Sequence, residues 1–137
     1  MIVGLGLDIS EIDRVAAVMA RHPTAFVERV FTPAEAEYCR KFRNAAERFA
    51  GRFAAKEANL KVLRPVDEAI PWRTIEVVRH GAGWVEVELS GRAAALAAEA
   101  GLSDFALSIS HEAGYASAIV IAELDLRNRR SDPIEKT

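Results

Sequence analysis

The chain begins with a strict alternation of large apolar residues and small or polar ones. Residues 2–9, IVGLGLDI, are predicted to form a strand. One side of this strand carries only aliphatic side chains: Val3, Leu5, Leu7 and Ile9. The other side carries Ile2, Gly4, Gly6 and Asp8. Because glycine has no side chain, that second side lets another backbone or a ligand come close, with Asp8 beside it.

Helical spacing of apolar residues replaces this alternation up to residue 63. Ser10, with Asp13 three positions later, predicts a capped start for the first helix. Residues 26–30 allow a short helical turn. Residues 32–42 begin with Thr-Pro-Ala-Glu, which combines an N-cap, a first-turn proline and an acidic third position. A long helix is predicted from about 47 to 63, where an Arg-Pro pair ends it.

The second half of the chain is rich in predicted strands. Residues 74–89 form two strands around a glycine-containing turn at 81–83. An alanine-rich helix occupies 90–101, and 105–111 and 115–124 form a hairpin. The order of elements predicts an α+β domain with an antiparallel sheet packed against helices.

Length and composition limit the classes of protein. The 137 residues predict one domain at 1–124, followed by a flexible polar tail at 125–137. A net charge of −2 argues against a general binder of nucleic acid or anionic membranes. The single Cys39 excludes an intramolecular disulfide. With neither a signal peptide nor an apolar run of about 20 residues, the sequence predicts a cytoplasmic protein.

Glu57 is the most informative position in the long helix, because it lies on the apolar stripe. One interpretation is that it pairs with Lys61 one turn later at the rim of the stripe. The other is that it faces inward toward a cation, since a buried carboxylate is costly unless it is paired or binds metal. Asp8 is the candidate second carboxylate. Two carboxylates with water and phosphate oxygens suit Mg²⁺.

Three cations lie beside Glu57 at intervals of one turn: Arg48, Arg52 and Lys56. Such a strip is usually a solvated helix face, but next to a metal ligand it suits a polyphosphate. His111 at a strand end is either structural or a donor to a phosphate or base.

Four segments together resemble the holo-acyl-carrier-protein synthase family, the small single-domain phosphopantetheinyl transferases. They are GLGLDISEIDRV (4–15), FTPAEAEYC (31–39), RFAGRFAAKEANLK (48–61) and LSISHEAGYASAIVIAE (107–123). The resemblance extends from Ile2 to Glu123. It implies transfer of the 4'-phosphopantetheine group of coenzyme A to a serine of apo-acyl carrier protein, with release of adenosine 3',5'-bisphosphate, for fatty acid or polyketide/lipid biosynthesis.

The resemblance also implies roles for individual residues. Asp8 and Glu57 would bind Mg²⁺, and Glu57 or a metal-bound water would accept the serine proton. Lys56 would join Glu57 as a catalytic residue. The residues implied to bind coenzyme A are Arg52, Lys56, Lys61 and His111. The residues implied to bind the carrier protein are Arg14, Arg21 and Arg29. The family further implies a homotrimer with active sites at subunit interfaces.

The sequence departs from the family at Leu60, where a serine is common, and in two further places. Arg64-Pro65 follows the long helix where a Gly-Thr-Gly loop is common, and the usual Gly-x-Pro near residue 83 is absent. Two alternatives therefore stay open: a binding module for coenzyme A or carrier proteins without catalysis, and a metal-dependent phosphohydrolase of coenzyme A or a nucleotide.

Overall fold

The computed structural model describes residues 1–126 and contains two antiparallel sheets and five α-helices in this range. The elements are β1 (Ile2–Glu11), α1 (Ile12–Arg21), α2 (Ala25–Val30), α3 (Pro33–Arg40), α4 (Ala45–Leu63), a 3₁₀ turn (Trp72–Thr74), β2 (Ile75–Arg79), β3 (Val85–Leu89), α5 (Gly91–Glu99), β4 (Leu102–Glu112) and β5 (Tyr115–Leu124). The larger sheet has the strand order β1-β5-β4, and β2-β3 is a separate hairpin. The predicted α+β class is confirmed. Most of the predicted tail, from residue 127 onward, lies outside the described residues.

The two predicted helix starts have different outcomes. Ser10 does not cap α1, because it still belongs to β1 and pairs with Ala116 of β5. The strand continues to Glu11, which takes the N-cap position without a side-chain capping bond. The start of α3 is confirmed: Thr32 Oγ1 accepts from Glu35 N–H at 3.2 Å, and Glu35 Oε1 accepts from Thr32 N–H at 2.9 Å.

The glycine side of β1 faces the core and packs directly on α4. A Cβ atom added to Gly4 would lie 2.7 Å from Val62 Cγ1, and one added to Gly6 would overlap the carbonyl oxygen of Ala58. The facing helix residues Ala54, Ala55 and Ala58 are also small and fully buried. Strand and helix therefore approach each other more closely than side chains of ordinary size would allow.

The aliphatic side of β1 is exposed, although apolar alternation ordinarily marks the side that packs on a core. Leu5, Leu7 and Ile9 keep 62%, 61% and 65% of their surface accessible. Across the ladder they pair with Ile121, Ile119 and Ser117 of β5. We call this surface the apolar sheet face. A contiguous exposed apolar surface of this kind is typical of an interaction site.

A buried ion pair joins α3, α4 and the start of β2. Lys56 Nζ lies 2.7 Å from Glu35 Oε1, and both side chains are fully buried. Lys56 also donates to the carbonyl oxygens of Trp72 and Ile75, while Glu35 Oε2 accepts from the Val77 N–H at 3.0 Å. Burial lowers the pKa of Lys56, and the Glu35 carboxylate opposes that shift. Because the two charges are buried and hydrogen-bonded to each other, removing either one would leave the other unpaired in the core.

The close packing of β1 on α4 predicts that Gly6→Ala strongly destabilises the fold. The new methyl group would meet backbone atoms of Ala58, which cannot rotate away. We expect a loss of about 1–3 kcal/mol or more in the free energy of unfolding, measured by urea denaturation. Gly81→Ala is the matched control, because nothing lies within 4 Å of its added Cβ. Equal stability of the two variants would contradict the packing described.

Candidate active site

Asp8 and Glu57 lie together where β1 crosses α4. Lys61, one turn after Glu57, donates to Asp8 Oδ1 at 3.2 Å and to the Leu7 carbonyl oxygen at 2.6 Å. The Asp8 side chain keeps only 13% of its surface exposed, whereas Lys61 keeps 55%. We call Asp8, Glu57 and Lys61 the carboxylate site. The prediction that Glu57 faces Asp8 is supported. The alternative, in which Lys61 pairs with Glu57 one turn earlier, is replaced by a hydrogen bond from Lys61 to Asp8.

The second carboxylate changes the acidity of Glu57. Burial raises the pKa of Glu57 to about 7, and the hydrogen bond and negative charge of Asp8 act in the same direction. Lys61 and Arg14 oppose the shift with their positive charges. A hydrogen bond between two carboxyl groups requires a proton on one of them. When no cation is bound, Glu57 therefore keeps its proton to a much higher pH than an ordinary glutamate does, up to about pH 7.

The carboxylate site fits a hard divalent cation. Asp8 Oδ2 is buried and receives no hydrogen-bond donor when both carboxylates are ionised. A cation would satisfy this oxygen and remove the repulsion that raises the pKa of Glu57. Within residues 1–126 no group of three or more His, Cys, Asp or Glu side chains could hold a metal. Two carboxylates suit Mg²⁺, which retains water and takes further oxygens from a substrate.

An apolar cavity of about 400 Å³ opens beside Glu57. Its apolar wall comes from α1, α2 and α4 through Val15, Val18, Phe26 and Phe53. Arg14 lines the same cavity and is exposed on α1. Arg21 and Arg29 are exposed on α1 and α2 and do not line this cavity. The cavity thus joins the carboxylate site to the helix that carries Arg14.

A second cavity, of about 300 Å³, lies between α4, β4 and the β2–β3 hairpin. Its cations are Arg48, Arg52 and Arg79, and we call it the cationic cavity. Arg52 is only 5% exposed, lies 4.3 Å over the Tyr38 ring, and leaves its Nε without a hydrogen-bond acceptor. Buried guanidinium groups with free donors are suited to phosphate or carboxylate ligands.

His111 lines the cationic cavity at the end of β4. Its Nδ1 lies 2.8 Å from Glu47 Oε1 on α4, a geometry in which Nδ1–H donates to the carboxylate. This bond fixes the ring and leaves Nε2 for a ligand. The structure therefore places Arg52 and His111 in one cavity, as their predicted binding of coenzyme A requires.

The structure corrects the placement of Lys56 and separates Lys61 from the other predicted coenzyme A ligands. Lys56 was predicted beside phosphates and as a catalytic residue, but it is fully buried and bonded to Glu35 and two carbonyl oxygens. It lines neither cavity. Its spacing from Arg52 suggested a shared face, but residues from α3 and β2 fold over Lys56. Lys61 belongs to the carboxylate site and not to the cationic cavity.

Some site residues were not anticipated. Tyr38, Arg79 and Trp84 line the cationic cavity, and Glu47 positions His111. They come from α3, the hairpin and the start of α4, so no local spacing connects them. Glu35 gave a signal through its capping box, but the sequence did not show that the same carboxylate also binds Lys56.

Comparison with known proteins decides the family. A family model described as the 4'-phosphopantetheinyl transferase superfamily matches residues 4–120. The chain belongs to this superfamily. The resemblance to holo-acyl-carrier-protein synthases is confirmed as well: the chain is 42% identical over 124 residues to the holo-[acyl-carrier-protein] synthase of Geotalea daltonii, covering 90% of this chain and 99% of that protein. It is 40% identical over 122 residues to that of Caldanaerobacter subterraneus, covering 89% and 95%.

Solved structures of phosphopantetheinyl transferases have the same fold. The ACPS–CoA complex of Chronobacterium ammoniagenes superposes with a TM-score of 0.78 at 34% identity, covering 88% of this chain and 96% of that one. The holo-[acyl-carrier-protein] synthase of Helicobacter pylori in complex with coenzyme A gives a TM-score of 0.76 at 28% identity, covering 87% and 99%.

Across residues 1–126 no helix is long and apolar enough to cross a membrane.

The raised pKa of Glu57 predicts a pH-dependent effect of Glu57→Gln on stability in EDTA. Between the ordinary pKa of 4.5 and about 7, the folded chain binds more protons than the unfolded chain, so wild-type stability falls as pH rises. Glutamine removes this loss. The free energy of unfolding of Glu57→Gln minus that of the wild type should therefore rise from about pH 4.5 to about pH 7. Above that range this difference should stay constant.

Urea denaturation at several pH values measures this gap. Glu88→Gln, which changes an exposed carboxyl on β3 of the other sheet, is the matched control and should not reproduce the widening. A gap between Glu57→Gln and wild type that stays constant with pH would contradict the carboxylate pairing.

Proposed function

We propose that this protein transfers the 4'-phosphopantetheine group from coenzyme A to a serine of an apo-acyl carrier protein. The observation that carries the proposal is the carboxylate pair Asp8–Glu57, formed by the first strand and the central helix of a chain that belongs to the phosphopantetheinyl transferase superfamily. Relatives named holo-[acyl-carrier-protein] synthase cover nearly the whole chain, and two similar structures contain coenzyme A. The departures at Arg64-Pro65 and near residue 83 leave this pair intact.

Mg²⁺ is the metal we assign to Asp8 and Glu57, where it would offset negative charge on the pyrophosphate during transfer. Lys61 holds the Asp8 carboxylate in place through Oδ1. The serine oxygen of the carrier protein attacks the β-phosphorus, and the bond from that phosphorus to the bridging oxygen breaks. The leaving group is adenosine 3',5'-bisphosphate. The serine proton would pass to the Glu57 carboxylate, which lines the cavity beside Arg14, or to a water molecule at the same site.

Arg52 and His111 are the residues we assign to the phosphate groups at the nucleotide end of coenzyme A. They share the cationic cavity, and Arg52 has an Nε donor that no protein group uses. This cavity and the cavity beside Glu57 have no lining residue in common. A ligand that uses both therefore spans α4 or reaches across two copies of the chain.

A homotrimer with sites between subunits would resolve this separation, and the apolar sheet face is the surface we assign to the contact. Leu5, Leu7 and Ile9 would be covered in such an assembly. Sedimentation equilibrium should give three chain masses for the wild type and fewer for Leu7→Glu. A monomeric wild type would remove this proposal.

The basic residues Arg14, Arg21 and Arg29 are proposed to dock the carrier protein, whose acidic surface they complement. Arg14 also lines the cavity that contains Glu57, so a carrier protein bound there would present its serine close to the carboxylate site. The cytoplasmic location and a role in fatty acid or polyketide/lipid biosynthesis stay predictions.

The proposed transfer is tested by the intact mass of an apo-acyl carrier protein after incubation with this protein, coenzyme A and Mg²⁺. We expect a gain of one phosphopantetheine group, which EDTA abolishes. Asp8→Asn should slow the gain by at least about 100-fold, since a bound metal contributes several kcal/mol to such a reaction. Asp13→Asn, at an exposed position on α1, should leave the rate unchanged.

Other outcomes of this assay would replace the proposal. Binding of coenzyme A without modification of any carrier protein would favour a binding module. Release of adenosine bisphosphate without carrier modification would favour a phosphohydrolase.

The docking assignment predicts that Arg14→Glu raises the KM for the carrier protein by about 10-fold or more and changes the KM for coenzyme A by less than about 2-fold. Added salt should weaken carrier binding to the wild type more than to the variant, because salt screens exposed charges. Arg40→Glu makes the same charge change at an exposed site on α3 and serves as the control. Equal increases in both KM values would remove Arg14 from the docking surface.

A further inference from the structure

Trp84 is an exposed aromatic residue that lines the cationic cavity. It directly precedes β3 in the β2–β3 hairpin. Its side chain retains 55% of its accessible surface and lines the cationic cavity with Arg48, Arg52 and Arg79. A single exposed tryptophan needs no functional explanation by itself. A tryptophan in the wall of a cavity that also holds three arginines, of which Arg52 is buried, is a different case, because both kinds of side chain face the same ligand-sized space.

Two neighbours fix the orientation of the Trp84 indole despite its exposure. The Nε1–H donates to Glu86 Oε1 at 2.9 Å, and Glu86 Oε2 lies 2.9 Å from His80 Nε2. The His80 ring stacks on the indole with centroids 5.2 Å apart and an angle of 20° between the planes. Within residues 1–126, His80 is the aromatic ring that contacts Trp84. One indole face is thus backed by His80, while more than half of the side-chain surface stays accessible to a planar group.

The chemistry of the cavity matches a nucleotide better than a bare anion. The guanidinium groups of Arg48, Arg52 and Arg79 are suited to phosphate oxygens. An oriented indole contributes little to a phosphate but stacks well on a nucleobase, in a way that tolerates any base. A cavity of about 300 Å³ is at the lower end of the size of small-ligand sites. It would hold one end of a large cofactor and leave the rest outside.

We propose that Trp84 is the stacking surface for the adenine base of coenzyme A, held in position by Glu86 and His80, while the arginines of the cationic cavity bind the phosphates on the same nucleoside. The identity of the nucleotide rests on the proposed function. The stacking role of Trp84 rests on the cavity itself. Trp84 then sets affinity for the nucleotide end of the cofactor and has no part in the chemistry at the carboxylate site.

The test measures binding of adenosine 3',5'-bisphosphate and of inorganic pyrophosphate to wild type, Trp84→Leu and Trp84→Phe by calorimetry. Leucine keeps an apolar side chain without a π surface, so we expect it to weaken binding of the bisphosphate by about 5- to 150-fold. Phenylalanine should recover much of this loss. Binding of pyrophosphate should change by less than about 2-fold in both variants. Val66→Ala, at an exposed apolar position outside the cavity, is the control.

Two further measurements separate this proposal from the proposed function. Addition of the bisphosphate should change the tryptophan fluorescence of the wild type, and Trp84→Phe should lose that change although Trp72 remains. In carrier modification, Trp84→Leu should raise the KM for coenzyme A and leave kcat within about 2-fold.

Unchanged binding of the bisphosphate to Trp84→Leu, or no binding to the wild type, would overturn the stacking role. Normal carrier modification in that case would leave the proposed function standing. A Trp84-dependent fluorescence change without carrier modification would support stacking and refute the transferase.

Discussion

The contact between the glycine side of β1 and α4 is the constraint on which the site depends. Gly4 and Gly6 remove the side chains that would hold the strand away from the helix, and Ala58 leaves its backbone open to the strand. Only this short distance lets Asp8 meet Glu57 and lets Lys61 bind the Leu7 carbonyl oxygen. The same arrangement turns the aliphatic side of β1 away from the core. The carboxylate site and the exposed apolar sheet face therefore both result from the packing of the glycine side of β1 on α4.

The central helix α4 separates charges that the sequence places side by side. Arg52 faces the cationic cavity, Lys56 is bonded to Glu35 in the core, and Glu57 meets Asp8 on β1. A structural cation and a candidate ligand-binding cation on this helix thus differ in whether the protein itself supplies their acceptors. Lys56 has its acceptors in the protein, whereas Arg52 keeps an unused donor. The buried Glu35–Lys56 pair also holds β2, and with it the hairpin that carries Trp84, against the helices.

Features set by residues close together in the sequence could be predicted, whereas features that depend on residues far apart in the sequence could not. Local patterns located the strands, the capping box at Thr32 and the length of α4. Glu57 could be found because a carboxylate interrupted an apolar stripe, and Asp8 because it shared a strand side with two glycines. Lys56 could not be assigned, since its partner Glu35 is 21 residues away and no spacing rule joins them. Alternation in β1 identified two sides but not which of them α4 would cover. Tyr38, Arg79 and Trp84 meet only through the tertiary fold.

The central claim is that Asp8 and Glu57 form one metal site in a protein that binds coenzyme A. The most direct measurement is an anomalous difference map from crystals grown with coenzyme A and Mn²⁺ as a substitute for Mg²⁺. The account predicts a peak in contact with both carboxylates and with phosphate oxygens of the cofactor. Bound coenzyme A with no anomalous peak at these two carboxylates, or with the peak at another group of side chains, would contradict it.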